Sequence, residues 1–246
     1  IGRGTSLAHG QGMYPVRCDQ GGALPDGAVR RNRAGTPHHG WTSDVELINT
    51  VNMKTRAVRL YGKKDLRLEE FELPPIGEDE ILARVVSDSL CMSSYKASSQ
   101  GSDHKRIPDD IAENPIIIGH EFAGELLEVG DKWAHKFKEG DKFSIQTALY
   151  YEDGPVGILS APGYSYKYIG GDATHVIIPN EVMEKDCLLI YRGEGYYPAS
   201  LAEPLSCVIG AMHANYHTTP GSYVHKMEIV DGGKMAILAG VGPMGL

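Results

Sequence analysis

The chain has 246 residues, and its 41% hydrophobic and 8% aromatic content is typical of a globular protein with a sizeable core. Its formal net charge of −8 argues against nucleic acid as a partner, because phosphate binding needs a basic surface. No apolar run approaches the roughly 18 residues of a membrane span, and the first residues lack a secretory signal pattern.

The four cysteines, Cys18, Cys91, Cys187 and Cys207, lie far apart and form no pattern of a disulfide framework. Dispersed cysteines are typical of a reducing compartment, so we expect a cytoplasmic protein. Cys187 and Cys207 are interpreted as core residues rather than metal ligands.

Residues 1–52 differ in character from the rest of the chain. They are rich in Gly, Arg, Pro and His and show neither the period of a strand nor that of a helix. We expect them to be a disordered leader, with a genuine flexible extension as the alternative. At Met53 the sequence changes abruptly to the pattern of a β-strand.

Residues 53–198 are predicted to form a small β-barrel or curled sheet, because short apolar segments alternate with glycine-containing turns. The predicted strands cover residues 57–60, 66–69, 80–86, 116–118, 122–129, 142–147 and 174–178. The first two flank residues 62–65 and should form a hairpin.

After Pro198 the pattern becomes helical, with apolar residues on one face from Leu201 to Met212. Ser200 and Glu203 have the spacing of a capping box at the start of this helix. Residues 234–239 then have the composition of a buried strand. The domains are therefore expected to be 53–198, and 199–246 as an interdomain helix with the beginning of a second domain.

Four side chains suggest a metal site: Cys91, His120, Glu121 and Glu203. A thiolate, an imidazole and one or two carboxylates suit Zn²⁺ with an open position for water or substrate. His120 and Glu121 are adjacent, so both can reach one metal only if the backbone bends, which Gly119 makes feasible. Without the other three residues, His120 would be interpreted as a core histidine. Glu203 has an alternative role as the capping-box residue of the helix.

Gly240, Gly242 and Gly245 follow the predicted strand in the spacing of a dinucleotide-binding loop. Such a loop brings a pyrophosphate close to a helix N-terminus. The helix and the acidic residue expected some 20 positions later are absent, so we expect a truncated Rossmann unit. A glycine-rich turn is the alternative.

Residues 53–246 resemble the zinc-containing medium-chain dehydrogenases, the alcohol and polyol dehydrogenase family. The resemblance rests on Cys91 with its following hydroxyl, residues 119–124, the pair Gly170–Gly171, Glu203–Pro204 and the terminal glycine loop. It implies a mainly β fold: a GroES-like barrel as catalytic domain, followed by the truncated start of a Rossmann α/β domain. Glu203–Pro204–Leu205 points to the sorbitol dehydrogenase branch.

The resemblance also implies roles for single residues. Cys91, His120 and Glu121 fall on zinc-ligand positions, and Glu203 on a carboxylate that contacts zinc directly or through water. Ser93 falls on the hydroxyl of a proton relay. Lys96 falls where the alcohol branch keeps a relay histidine, so we expect it either to relay a proton or to hold a ribose or a substrate phosphate. Ser94 replaces an aspartate that orients the metal-site histidine, so we expect another group to take that role.

The implied cofactors are one catalytic zinc, without a structural zinc, and NAD or NADP. Residues 144–175 contain none of the four cysteines that hold the second zinc of many relatives. The implied reaction is hydride transfer between a secondary alcohol, such as a polyol or sugar phosphate, and a ketose. We expect a homo-oligomer at full length and no turnover by this chain alone; the alternative is an inactive or zinc-independent binding module.

Overall fold

The computed structural model describes residues 53–218, 220–238, 240–242 and 244–245. The expectations for residues 1–52 lie outside this part of the chain. Within it, no helix combines the length and the apolar character needed to cross a membrane.

The predicted N-terminal hairpin is confirmed. Strand β1 (Lys54–Gly62) pairs antiparallel with β2 (Asp65–Glu72). The two-residue turn between them places Lys64 at φ 59°. The short strand β4 (Ile116–Ile117) pairs on the other edge of β1, which gives a three-stranded sheet in the order β2-β1-β4.

The second sheet has five antiparallel strands in the order β8-β3-β5-β6-β9. Their bounds are β3 Ile81–Asp88, β5 Phe122–Val129, β6 Lys142–Ile145, β8 His175–Ile178 and β9 Leu188–Ile190. A further strand, β7 (Pro155–Ile158), lies in the long connection between β6 and β8. A bridge between Ala57 and Ala173 joins the two sheets. The mainly β barrel architecture is therefore confirmed, and all seven predicted strands begin and end within three residues of their predicted bounds.

Three apolar clusters form the core of the described residues, and the two larger ones lie closest to the predicted metal site. Phe122 and Phe143, both fully buried, meet edge to face with ring centroids 6.0 Å apart in the largest cluster. The second cluster packs Leu60 and Ile116 against the ring of Tyr164. Alternate residues of the strands supply these two clusters, as the period of two requires.

Four helices complete the described part of the chain: α1 (Met92–Gln100), α2 (Asn180–Glu184), α3 (Tyr197–Ser200) and α4 (Ala202–His213). The capping box predicted at α4 is wrong. Ser200 is the last residue of α3, and its hydroxyl bonds the Tyr197 carbonyl and the Ser87 hydroxyl. Leu201 precedes α4 instead and makes no side-chain cap. The side chain of Glu203 is thus not engaged in a capping box.

Beyond α4, a hairpin forms from β10 (Tyr216–Thr218) and β11 (His225–Met227). The strand predicted over residues 234–239 is wrong for the described residues 234–238, which are irregular and exposed. A buried strand needs a neighbouring strand to take up its backbone N–H and C=O groups, and no described strand lies beside this segment.

A partly buried pair of acids, Asp88 and Asp172, lies where β3 ends. Asp88 Oδ1 accepts the Glu121 N–H at 3.2 Å, whereas its Oδ2 is buried without a hydrogen-bond donor. Burial, and then the neighbouring Asp172 carboxyl, raise the pKa of Asp88 to about 8. A proton held by the pair therefore supplies the missing donor at neutral pH. A Cβ at Gly119 or Gly171 would collide with the Asp88 carboxyl.

Asp88→Asn tests this buried proton. Because the pKa of Asp88 is higher in the folded chain, the folded state holds the extra proton between about pH 4 and about pH 8. The associated stability is present in full below this window and is lost as pH rises through about 8. Urea denaturation of the zinc-free chain should show a smaller loss of unfolding free energy over this range for the variant than for wild type.

Asp65→Asn is the matched control. Asp65 lies on the exposed hairpin, and its hydrogen bonds from Arg67 lower its pKa, so it titrates below the window. The control should keep the wild-type slope. Equal slopes for wild type and Asp88→Asn would contradict the prediction.

Candidate metal centre

Three of the four predicted ligands meet at one point. The ligand atoms of Cys91, His120 and Glu121 all lie within 4.8 Å of one another. Between the last two, His120 Nε2 is 4.0 Å from Glu121 Oε1. His120 and Glu121 are buried, at 4% and 6% exposure, and Cys91 is partly buried.

Two chain connections create this meeting. Cys91 lies three positions after the end of β3 and immediately precedes the first residue of α1. His120 and Glu121 lie between β4 and β5, where Gly119 adopts φ 92°. This bend turns consecutive side chains toward the same point, which an extended strand cannot do. The bend predicted at Gly119 is therefore confirmed.

Hydroxyl groups surround the imidazole of His120. Ser94 Oγ lies 3.1 Å from Nδ1, Tyr164 Oη lies 3.2 Å from Nε2, and Ser93 Oγ lies 3.4 Å from Nε2. When Nδ1–H donates to Ser94, the lone pair of Nε2 faces the other two ligand side chains. The expectation that a group other than Ser94 takes the role of the missing aspartate is thus wrong, because the serine itself reaches the ring from α1.

The electrostatics keep the imidazole neutral. Burial lowers the pKa of His120 to about 4, against the opposing effect of the Glu121 carboxylate. Burial raises the pKa of the Cys91 thiol, and the Ser93 hydroxyl 2.8 Å from its sulfur opposes that effect. Metal binding requires a neutral imidazole, which His120 already has. It also requires a thiolate, which Cys91 becomes when the cation displaces the thiol proton.

This donor set fits zinc. Tetrahedral Zn²⁺ with sulfur, nitrogen and oxygen ligands separates its donor atoms by about 3.3 to 3.8 Å, so the three side chains need to close by roughly 1 Å. The Glu121 carboxylate is held in place, because the Ser89 hydroxyl donates to its Oε2 and its backbone is bonded to Asp88 and Ser89. Three protein ligands leave a fourth position open.

A cavity of about 420 Å³ opens beside the three residues. It is lined by Ser93, Arg106, His120, Gln146, Thr147, Ala148, Tyr164, Glu203, Ser206 and Cys207. Glu203 reaches it from the first turn of α4. Glu203 shares the cavity wall with His120 but lies outside the group of three. Burial, and then the Glu121 charge, raise the pKa of the Glu203 carboxyl.

The two predicted relay residues separate in the structure. Ser93 lines the cavity and contacts both Cys91 Sγ and His120 Nε2. Lys96 is exposed on α1 and is not part of the cavity wall. The structure therefore brings Ser93, but not Lys96, to the candidate centre.

The glycine loop lies in a different place. Gly240, Gly242 and Gly245 sit in successive turns, with the Gly245 N–H bonded to the Gly242 carbonyl at 2.9 Å. None of them lines the cavity. Cys187 is buried as expected, whereas the core assignment of Cys207 is wrong: it is exposed, and its thiol donates to Glu203 Oε1 at 3.7 Å.

Sequence reasoning missed two residues of the centre, Tyr164 and Arg106. The ring of Tyr164 packs at 4.7 Å from that of His120, and burial raises the pKa of its hydroxyl to about 12. Arg106 stands on the same cavity wall. The aromatic run from Tyr164 to Tyr168 was the available signal for the first, and nothing local distinguishes Arg106.

Comparison with known proteins agrees with the architecture. Residues 77–187 match the family model described as "Alcohol dehydrogenase GroES-like domain". The chain is 60% identical over 192 residues to L-sorbose 1-phosphate reductase of Klebsiella pneumoniae, covering 78% of this chain and 46% of that protein. It is 49% identical over 193 residues to mannitol-1-phosphate 5-dehydrogenase of Aliivibrio fischeri, covering 78% and 44%.

Among solved structures, 2R,3R-butanediol dehydrogenase from Bacillus subtilis superposes with a TM-score of 0.50 at 25% identity, covering 65% of this chain and 46% of that one. The chain thus spans somewhat less than half the length of the relatives it matches. Residues 77–187 thus carry the GroES-like domain of the alcohol dehydrogenases, and the chain is similar over most of its length to relatives named as a sugar-phosphate reductase and a polyol-phosphate dehydrogenase.

Proposed function

We propose that the chain provides the catalytic part of a zinc-dependent NAD(P) oxidoreductase that interconverts a polyol or sugar phosphate and a ketose. The observation that carries the proposal is the group Cys91, His120 and Glu121, of which His120 lines a cavity large enough for a small molecule. The two relatives described above are named for reactions on sugar or polyol phosphates. L-sorbose 1-phosphate reductase is accordingly the specific activity that we propose.

Zinc, when bound, supplies Lewis acidity toward an alcohol or carbonyl oxygen in the cavity. The side chains do the rest of the work at the site. Cys91 and Glu121 contribute two negative charges, and His120 contributes a neutral nitrogen, so the ligands balance the charge of a divalent cation. Ser94 holds the ring of His120, and the Ser89 hydroxyl holds the Glu121 carboxylate.

Ser93 is the proposed proton-transfer group, because its hydroxyl faces the cavity next to two ligand atoms. A hydroxyl in this place can accept the proton of a substrate alcohol and pass it on. Glu203, with its raised pKa, is proposed as a carboxyl that holds a water or substrate hydroxyl near the open position. Lys96, exposed on α1, has no contact that supports the relay role implied for it by sequence.

The nicotinamide cofactor is proposed to bind at Gly240, Gly242 and Gly245. Their spacing is that of the loop which admits a pyrophosphate to close approach of the backbone. NAD and NADP both remain within the proposal, because the residue that reads the ribose follows such a loop by about 20 positions. No structural zinc is proposed.

Cys91→Ser should abolish tight zinc binding, because a hydroxyl is a far weaker ligand for Zn²⁺ than a thiolate. The measurement is zinc content by mass spectrometry after equilibration and dialysis, with one zinc per wild-type chain expected. Cys207→Ser is the matched control, since this thiol lines the cavity beside His120 but lies outside the group of three. One zinc per chain in both wild type and Cys91→Ser would refute Cys91 as a ligand, whereas no zinc in either would leave a zinc-independent binding module as the better description.

Ser94→Ala should weaken zinc binding by roughly 10- to 100-fold without abolishing it, because His120 loses the hydrogen bond that fixes its tautomer and orientation. Competition with a chromophoric chelator measures the affinity. Ser99→Ala, on the same helix but without a hydrogen bond to His120, should bind zinc as wild type does. An unchanged affinity for Ser94→Ala would show that packing against Tyr164 alone positions the ring.

A further inference from the structure

Arg106 is the one lysine or arginine on the cavity wall among the described residues. It shares this wall with Ser93, His120 and Glu203, and it lies outside the group of metal ligands. Its side chain is partly buried. A positive charge in this position affects whatever small molecule enters the cavity.

Three hydrogen bonds fix the position of Arg106. Its guanidinium Nη1 donates to the Leu159 carbonyl at 2.9 Å. Its backbone N–H donates to His104 Nδ1 at 3.3 Å, and its carbonyl accepts the Ser165 hydroxyl at 2.7 Å. The guanidinium is therefore held by one edge only, and its Nη2 and Nε groups make no hydrogen bond within the described residues.

No carboxylate of the described residues lies within 4.0 Å of this guanidinium. The contrast with other arginines is clear, because Arg59, Arg67 and Arg84 each pair with an acid on the same sheet or hairpin. The Leu159 carbonyl replaces only part of the hydration that this partly buried cation has lost, and Glu203, whose pKa it lowers, lies beyond ion-pair distance. An anionic ligand would provide the missing partner.

The position of Arg106 suits a ligand that also reaches the metal centre. Its Cζ lies 5.8 Å from the centre of the Tyr164 ring, and the ring of His120 lies 4.7 Å from the same centre. The two groups thus flank one aromatic side chain. The positive charge of Arg106 also contributes to lowering the pKa of His120, so its field extends across the cavity.

Polar groups beside Arg106 complete the surroundings of an anion. Gln146 Oε1 accepts the Ala148 N–H at 3.1 Å, so its amide nitrogen is left to donate elsewhere. Thr147 and Ser206 add hydroxyls to the wall. A phosphate monoester accepts several such hydrogen bonds and matches the planar fork of a guanidinium.

We propose that Arg106 binds the phosphate group of a sugar-phosphate substrate while the metal centre binds the reacting hydroxyl or carbonyl. Arg106 is then a specificity-determining residue that distinguishes phosphorylated from free sugars. The inference rests on the proposed function and deepens it by naming the group that selects the substrate class. The phosphates of the dinucleotide are the other source of this chemistry, and the experiment separates the two.

The test is isothermal titration of the zinc-loaded chain with L-sorbose 1-phosphate, with L-sorbose and with NADP. Wild type should bind the phosphorylated ketose roughly 10- to 100-fold more tightly than the free ketose. Arg106→Gln should lose this preference, with little change toward L-sorbose or NADP. Arg106→Lys should keep part of it, since lysine retains the charge without the fork.

Arg84→Gln is the matched control, because Arg84 pairs with Glu125 on β3 and β5 and does not line the cavity. It should show the wild-type preference. The zinc content and thermal midpoint of Arg106→Lys check that the hydrogen-bonded loop stays folded.

Several outcomes would overturn the inference. An undiminished preference in Arg106→Gln, an equal loss for both sugars, or a loss confined to NADP would each exclude substrate phosphate as the partner while leaving the proposed function standing. Failure of zinc-loaded wild type to bind either sugar would instead count against the proposed function itself, and the role of Arg106 would fall with it.

Discussion

The candidate centre depends on the backbone bend at Gly119. With φ at 92°, this residue leaves β4 in a conformation that side chains with a Cβ rarely adopt, and the Asp88 carboxyl fills the space beneath it. In a continuous strand, His120 and Glu121 would point to opposite faces of the sheet. The bend directs both toward Cys91, and the Asp88 bond to the Glu121 N–H holds the backbone in that shape. The metal-binding geometry therefore depends directly on the glycine turn.

Neutral hydroxyls, rather than charged groups, orient the proposed ligands. Ser89, Ser93, Ser94 and Tyr164 contact the carboxylate, the thiol and the imidazole between them. A hydroxyl can donate or accept a hydrogen bond as its neighbour requires. The same contacts can therefore form both with the protonated ligands and with the deprotonated ligands that bind a metal. Because these residues come from β3, α1 and the β7–β8 connection, the barrel must fold before the centre exists.

Sequence alone predicted what depends on local spacing. The hairpin and the strands of the barrel follow from periodicity and turn residues, whereas the set Cys91, His120 and Glu121 was predicted from donor chemistry and the family resemblance. The contact between Ser94 and His120 was misread because the reach of a serine depends on where α1 packs. Tyr164 meets His120 across 44 positions of sequence, a proximity that no local pattern encodes. The strand predicted after residue 233 does not form for a similar reason: a strand needs a neighbouring strand to pair with, and local sequence does not show whether one is present.

The serine on His120 has a consequence for the charge of the cavity. An aspartate in that place would add a full negative charge behind the ring, whereas the hydroxyl of Ser94 adds none. With Cys91 and Glu121 ionised, a divalent cation would bring the ligand set to electrical neutrality. Of the remaining groups on the wall, Arg106 is positive, and burial together with Glu121 favours the protonated form of Glu203. The local potential is thereby shifted in the positive direction, in a chain whose net charge is −8.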